Sequence, residues 1–128
     1  MSEAHEQIKL VDWCDQYFRI KHKELLVNGH SPLVATPNEG KRSPMQGAKA
    51  KKMGLRPGFL DLQLLVERGG YRGLIIEMKF GKNKTTDNQK AWIDWFENNN
   101  FKTAVHYSFE SAKNEILKYM IREKGVSL

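Results

Sequence analysis

Three residues set the chemical possibilities of this chain: Asp61, and the pair Glu77 and Lys79. Glu77 and Lys79 stand two apart in the apolar run from Leu74 to Phe80, so in an extended strand they share one face. Asp61 lies in the preceding apolar run, Phe59 to Val66. Two carboxylates held close together repel, and a hard divalent cation such as Mg²⁺ or Mn²⁺ relieves that repulsion. A lysine beside them orients or deprotonates an attacking water, or balances charge developing on a phosphate. That chemistry is metal-assisted phosphodiester hydrolysis. The same letters also fit a solvent-exposed Glu77–Lys79 strand pair with Asp61 as a cross-hairpin ion-pair partner. Glu-x-Lys alone does not separate the two readings.

Whether the three residues meet depends on the register of one hairpin. Both runs alternate: Leu60, Leu62, Leu64 and Val66 share one face of the first, and Leu74, Ile76, Met78 and Phe80 share one face of the second. Arg68-Gly69-Gly70-Tyr71 is the turn. Directly opposed residues point to the same side. Facing Asp61 with Glu77 therefore centres the hairpin on Gly69, and facing it with Lys79 centres it on Gly70. A two-residue Gly69-Gly70 turn with no irregularity would send Asp61 to the Met78 face. An odd-length loop or a bulge is expected, and it keeps Leu60, Leu62, Leu64, Leu74, Ile76 and Met78 together.

The remaining elements frame that hairpin. Residues 3 to 27 place Ile8, Leu10, Val11, Trp13, Cys14, Tyr17, Phe18 and Ile20 at helical spacing, ending near the Asn28-Gly29 turn. Residues 32 to 37 are β-branched and bounded by prolines, which suits a short or edge strand. Thr85 to Gln89 is a capping cluster before a helix through Trp92, Ile93, Trp95 and Phe96, which ends at Asn98-Asn99-Asn100. Residues 101 to 108 alternate as a fourth strand, and 109 to 122 form a final amphipathic helix. The order helix, strand, short helix, strand, strand, helix, strand, helix predicts an α/β domain with a small mixed sheet flanked by helices.

Composition narrows the function. A chain of 128 residues with 40% apolar and 28% charged residues fits one domain, residues 1–128, around one core. Lys and Arg number 21 against 15 Asp and Glu, a net charge of +6, which favours a polyanionic partner. Most of that charge is local: residues 39 to 56 hold Lys41, Arg42, Lys49, Lys51, Lys52 and Arg56 against Glu39 alone. The window is either a solvated loop with a short helix or a grip on a nucleic-acid backbone. Cys14 is the single cysteine, so no internal disulfide or Cys-based zinc cluster can form. No apolar run is long enough to span a bilayer, and the first residues lack the basic-then-apolar pattern of a signal peptide. These features predict an intracellular, cytoplasmic protein with no membrane partner. His5, His22, His30 and His106 show no metal-ligand spacing, and the Trp92, Trp95, Phe96 stripe reads as core.

Residues 37 to 43 (PNEGKRS), 47 to 65 (GAKAKKMGLRPGFLDLQLL) and 73 to 96 (GLIIEMKFGKNKTTDNQKAWIDWF), with a helix-strand-helix tail, resemble the virus-type replication-repair nuclease (VRR-NUC) family of the PD-(D/E)xK superfamily. The resemblance implies a restriction-endonuclease-like αβββαβ core in which Asp61 and Glu77 bind Mg²⁺ or Mn²⁺ and Lys79 assists the nucleophile. It also implies that Glu6 completes the metal site and that Gln89 belongs to it. Glu6 equally suits the positive end of its own helix, and Gln89 equally suits a capping box with Thr86. The superfamily's Pro-Asp is Leu60-Asp61 here, which removes a proline but no group that touches metal. Lys41 and Arg42 fall where the family has a glycine- and lysine-rich loop.

The resemblance thus implies a metal-dependent DNA endonuclease, of the standalone kind found in phages, that acts on branched DNA such as four-way junctions as a homodimer. Two symmetric cuts need two sites, and one such domain holds one. The alternatives are a nuclease for flaps, single strands or duplex DNA, and a non-catalytic nucleic-acid-binding module.

Overall fold

The computed structural model describes residues 3–36 and 44–124. Helix α1 (Glu3–Lys21) opens the fold. A 3-10 turn (Lys23–Leu25) then leads into strand β1 (Leu33–Ala35). Helix α2 (Pro44–Lys52), strands β2 (Leu62–Leu64) and β3 (Leu74–Met78), helix α3 (Asp87–Asn98), strand β4 (Lys102–His106) and helix α4 (Phe109–Met120) follow. The order matches the sequence pattern, but most elements are shorter. The expected first helix to residue 27 stops at Lys21, where His22 leaves the helical region, and Asn28 and Gly29, both at positive φ, then turn the chain toward β1. The expected strand from 59 to 66 is regular only over Leu62–Leu64.

The sheet runs β1-β2-β3-β4, antiparallel at its first two pairings and parallel at β3–β4. Parallel neighbours need a crossover, and α3 supplies it. All five residues of β3 are buried, as expected of a strand covered on both faces. On one face Leu62, Leu64, Leu74, Ile76 and Met78 pack with Leu10, Cys14 and Phe18 of α1 and Ile116 and Tyr119 of α4. On the other, Ile75 packs with Leu60 and Phe96, flanked by Phe59, Trp92 and Phe101. Of the aromatic stripe, Phe96 is core and Trp92 half-buried, while Trp95 is half exposed.

The hairpin carries the expected irregularity. Leu62 pairs with Ile76 and Leu64 with Leu74, so the ladder centres on Gly69. The outer bridge joins Arg68 to Tyr71 across a two-residue Gly69-Gly70 turn with φ of 58° and 84°. Three residues, 65 to 67, therefore face two, 72 and 73. This one-residue bulge returns Asp61 to the Glu77 side. Positive φ at both turn positions is the conformation glycine adopts without strain.

Leu60 departs from the expected pattern. It is buried with Ile75 and Phe96, on the sheet face opposite Leu62 and Leu64. The chain bends at Asp61, where side-chain carboxylates take over from the backbone ladder. Once the ladder ends, strict alternation ends with it.

Candidate active site

The bend at Asp61 is also what assembles the site. The Asp61 amide donates to Glu77 Oε1 at 3.2 Å, and the Met78 amide donates to Asp61 Oδ2 at 3.1 Å. Each carboxylate thus satisfies a backbone donor on the other strand, which locks both at the end of the hairpin. Glu77 Oε2 accepts from Gln89 Nε2 at 2.8 Å and lies 3.3 Å from Lys79 Nζ. Lys79 Nζ in turn donates to Gln89 Oε1 at 2.7 Å. Asp61, Glu77, Lys79 and Gln89 form one continuous hydrogen-bonded cluster.

Glu77 is 3% exposed and Lys79 8%, so the reading of Glu77 and Lys79 as a solvent-exposed strand pair does not hold. Burial pushes the Glu77 carboxyl up to about 7, and the neighbouring Asp61 charge adds to the rise, while Lys79 pulls it back. An open cleft of about 500 Å³ runs from Asp61 along α1, past Gln7, Val11 and Asp12.

Gln89 forms the capping box that its sequence position suggested and also reaches the acidic cluster. Thr86 Oγ1 accepts the Gln89 amide at 3.2 Å, and Gln89 Oε1 accepts the Thr86 amide at 3.0 Å, a complete capping box. The same Oε1 holds Lys79, and the amide nitrogen of the side chain holds Glu77. The start of α3 is therefore fixed by the interaction that orients the site.

Gly58 is a positioning residue that the sequence analysis missed. It has φ of +77°, and a Cβ there would lie 2.5 Å from Asn88 Cβ and 2.7 Å from the Gln89 nitrogen. The Pro57-Gly58 dipeptide carried the signal, a turn before the Asp61 strand. Gly58→Ala is expected to destabilise the fold by about 2 kcal/mol or more, from left-handed backbone strain plus overpacking. It should also displace Gln89 from Glu77. Denaturant melts check the first effect; activity falling further than the folded fraction checks the second.

Glu6 is not gathered with the other two carboxylates. Among the described residues no three His, Cys, Asp or Glu side chains cluster so as to hold one metal ion. Glu6 Oε1 instead accepts the Phe109 amide at 3.1 Å, at the first turn of α4, and Oε2 lies 3.6 Å from Lys9. The Phe109 hydrogen bond holds its carboxyl below the usual range, partly offset by desolvation, with Lys9 assisting. It acts as a tie between α1 and α4.

Of the basic window, Lys49, Lys51, Lys52 and Arg56 are exposed at and after the end of α2. Arg56 Nη1 donates to the Lys51 carbonyl at 3.2 Å. Lys41 and Arg42 lie outside the described residues. Cys14 is buried and its thiol pushed up to about 11 by desolvation, the environment of an unreactive thiol. Among the described residues no helix is long and apolar enough to cross a membrane.

A buried Asp-Glu-Lys cluster at the end of a small mixed sheet covered by helices defines an α/β nuclease core. Residues 2–110 match the VRR-NUC domain, and the chain belongs to that family. It is accordingly a nuclease-type domain with a nucleic-acid substrate. A solved structure of a VRR_NUC domain protein is similar over 97% of this chain and 92% of its own, with a TM-score of 0.75 and 23% identity, a likeness of fold. No curated protein matches the chain.

The two clustered carboxylates fit a hard divalent cation. Mg²⁺ is commonly held by one or two carboxylates with water and substrate phosphate oxygens completing its shell, so a third protein carboxylate is not required. A buried glutamate whose proton affinity is raised by burial and by the Asp61 charge beside it belongs to a donor set that a divalent cation would relieve.

Proposed function

We propose that this chain is a Mg²⁺- or Mn²⁺-dependent DNA endonuclease that hydrolyses phosphodiester bonds and selects branched DNA, such as four-way junctions, as a homodimer working in the cytoplasm. The observation that carries the reading is the cluster in which Gln89 holds both Glu77 and Lys79 beside Asp61. Asp61 and Glu77 would hold the cation, which supplies charge neutralisation at the phosphate being cut and a more acidic bound water. Lys79, fixed by Gln89 Oε1 and Glu77 Oε2, orients the attacking water and offsets charge developing on the phosphoryl oxygens. Hydrolysis forms one bond from water oxygen to phosphorus and breaks one ester bond, leaving a phosphate monoester and a hydroxyl.

The exposed Lys49, Lys51, Lys52 and Arg56, with Lys41 and Arg42 before them, grip the backbone. Phosphate contacts carry no sequence information, which favours recognition of DNA shape over sequence. The test offers labelled four-way junction, flap, linear duplex and single-stranded DNA with Mg²⁺, Mn²⁺ or chelator, beside Asp61→Asn and Glu77→Ala. Junction cleavage lost with chelator and with both substitutions is expected. Cutting only flaps, single strands or duplex would discard the junction, and binding without cleavage in every metal would leave a non-catalytic binding module. Light scattering of the free protein checks the dimer.

A further inference from the structure

The residue that follows the buried Lys79 in the chain is aromatic. Phe80 is 46% exposed, directly after the site lysine at the end of β3. One residue past the last β3–β4 pair, Met78 and His106, the parallel strands carry Lys79 and Tyr107. Tyr107 is also 46% exposed. Its hydroxyl donates to the Asn83 carbonyl at 2.6 Å, and the Asn83 amide donates to the Phe80 carbonyl at 3.2 Å. Gly81, with φ of 62°, makes that tight turn without strain. The turn is thus closed on itself and tied to the end of β4, and both aromatic residues keep nearly half their surface in solvent.

Its charge is one-sided. Lys82, Lys84 and Lys90 are exposed in the turn and the start of α3 that follows it, with Asp87 as the single acid between residues 79 and 90. None of the three lysines forms an ion pair or hydrogen bond through its side chain among the described residues.

We propose that this turn is a second nucleic-acid contact, in which the exposed ring of Phe80 stacks on an unpaired base near the cut while Lys82, Lys84 and Lys90 hold the flanking phosphates. It rests on the nuclease reading and deepens it by naming what is recognised. Every base has a π face, but a paired duplex hides it; it is offered at a branch point, flap or single strand. Aromatic rings flanked by unpaired lysines match that ligand, whereas the lysines alone would accept any phosphate backbone. The basic window supplies affinity for DNA of any shape, and this turn supplies preference for a break in stacking. Phe80 would then set where the cut falls relative to the branch.

The test measures binding in chelator, so that cleavage does not intervene, using a four-way junction with 2-aminopurine at the branch, a single strand and a linear duplex. Phe80→Ala is expected to weaken junction and single-strand binding about tenfold or more, the usual worth of one base stack, and to abolish the 2-aminopurine quenching. Duplex binding should stay within about twofold, and Phe80→Trp should restore both signals. The triple change Lys82→Ala, Lys84→Ala, Lys90→Ala should weaken all three substrates and reduce the salt slope of binding by about 2 to 3. Junction affinity and quenching unchanged in Phe80→Ala, with the wild type still cutting DNA, would overturn this contact and leave the nuclease standing. Equal losses on duplex and junction would overturn the stacking role. A wild type that neither binds nor cuts any of the substrates would overturn both readings.

Discussion

Lys79→Met is expected to slow single-turnover cleavage by about 10²- to 10⁴-fold, the usual worth of a positioned proton-transfer or charge-balancing group. Methionine keeps the length and apolar stem of a side chain that is 8% exposed, so the fold should survive. What it removes is the ammonium 2.7 Å from Gln89 Oε1 and 3.3 Å from Glu77 Oε2. Two consequences follow from that geometry. The water-orienting cation disappears, and Glu77 loses the neighbour that holds its proton affinity down. The acid limb of the cleavage rate should therefore move to higher pH in Lys79→Met, on top of the loss in rate. DNA affinity in chelator should change by less than about threefold, because a single buried lysine contributes little to backbone attraction set by exposed ones. A variant that cleaves within about tenfold of wild type would remove Lys79 from the chemistry.

The parts of this site that obey short-range rules were legible in the sequence. Alternation placed Glu77 and Lys79 on one face, and the Gly69-Gly70 turn combined with the apolar pattern required the irregularity now seen as the bulge over residues 65 to 67. The capping cluster gave the start of α3 at the right residue, and with it Gln89. What was not legible depends on partners distant in the chain. Leu60 crosses to the other core because the Asp61 amide finds the Glu77 carboxylate instead of a ladder carbonyl, and no local pattern encodes that exchange. Glu6 meets Phe109 across nearly the whole chain, so its first-turn position gave no sign that it would tie α1 to α4. The Pro57-Gly58 pair signals only a turn, while the necessity of Gly58 comes from Asn88 and Gln89 packed against it.

Glu77 itself should make the metal-free protein less stable as pH rises. Its carboxyl is held up to about 7 in the folded chain, against an ordinary value near 4.5, first by burial and then by Asp61. A raised acid binds its proton more tightly folded than unfolded, so the folded state is favoured below the unfolded value and loses that advantage as pH climbs through about 7. The cost of carrying the buried charge at pH 8 is about 3 kcal/mol. Glu77→Gln has no proton to lose. In chelator, its stability relative to wild type should therefore rise by about 2.5 kcal/mol between pH 5 and pH 8, whatever offset the altered hydrogen bonds add at both. Asp15 and Glu6 titrate below their ordinary values and so act at lower pH, outside this interval. Mg²⁺ should return stability to the wild type at pH 8 and little to Glu77→Gln, since the cation takes the place of the proton. Its apparent affinity should strengthen about tenfold per pH unit below 7 and level off above. Denaturant melts of both proteins at the two pH values, with chelator and with Mg²⁺, measure all of this. A difference between wild type and Glu77→Gln that does not change with pH would mean that Asp61 and Glu77 do not share a desolvated charge, and with it the physical reason for a cation at this site would be gone.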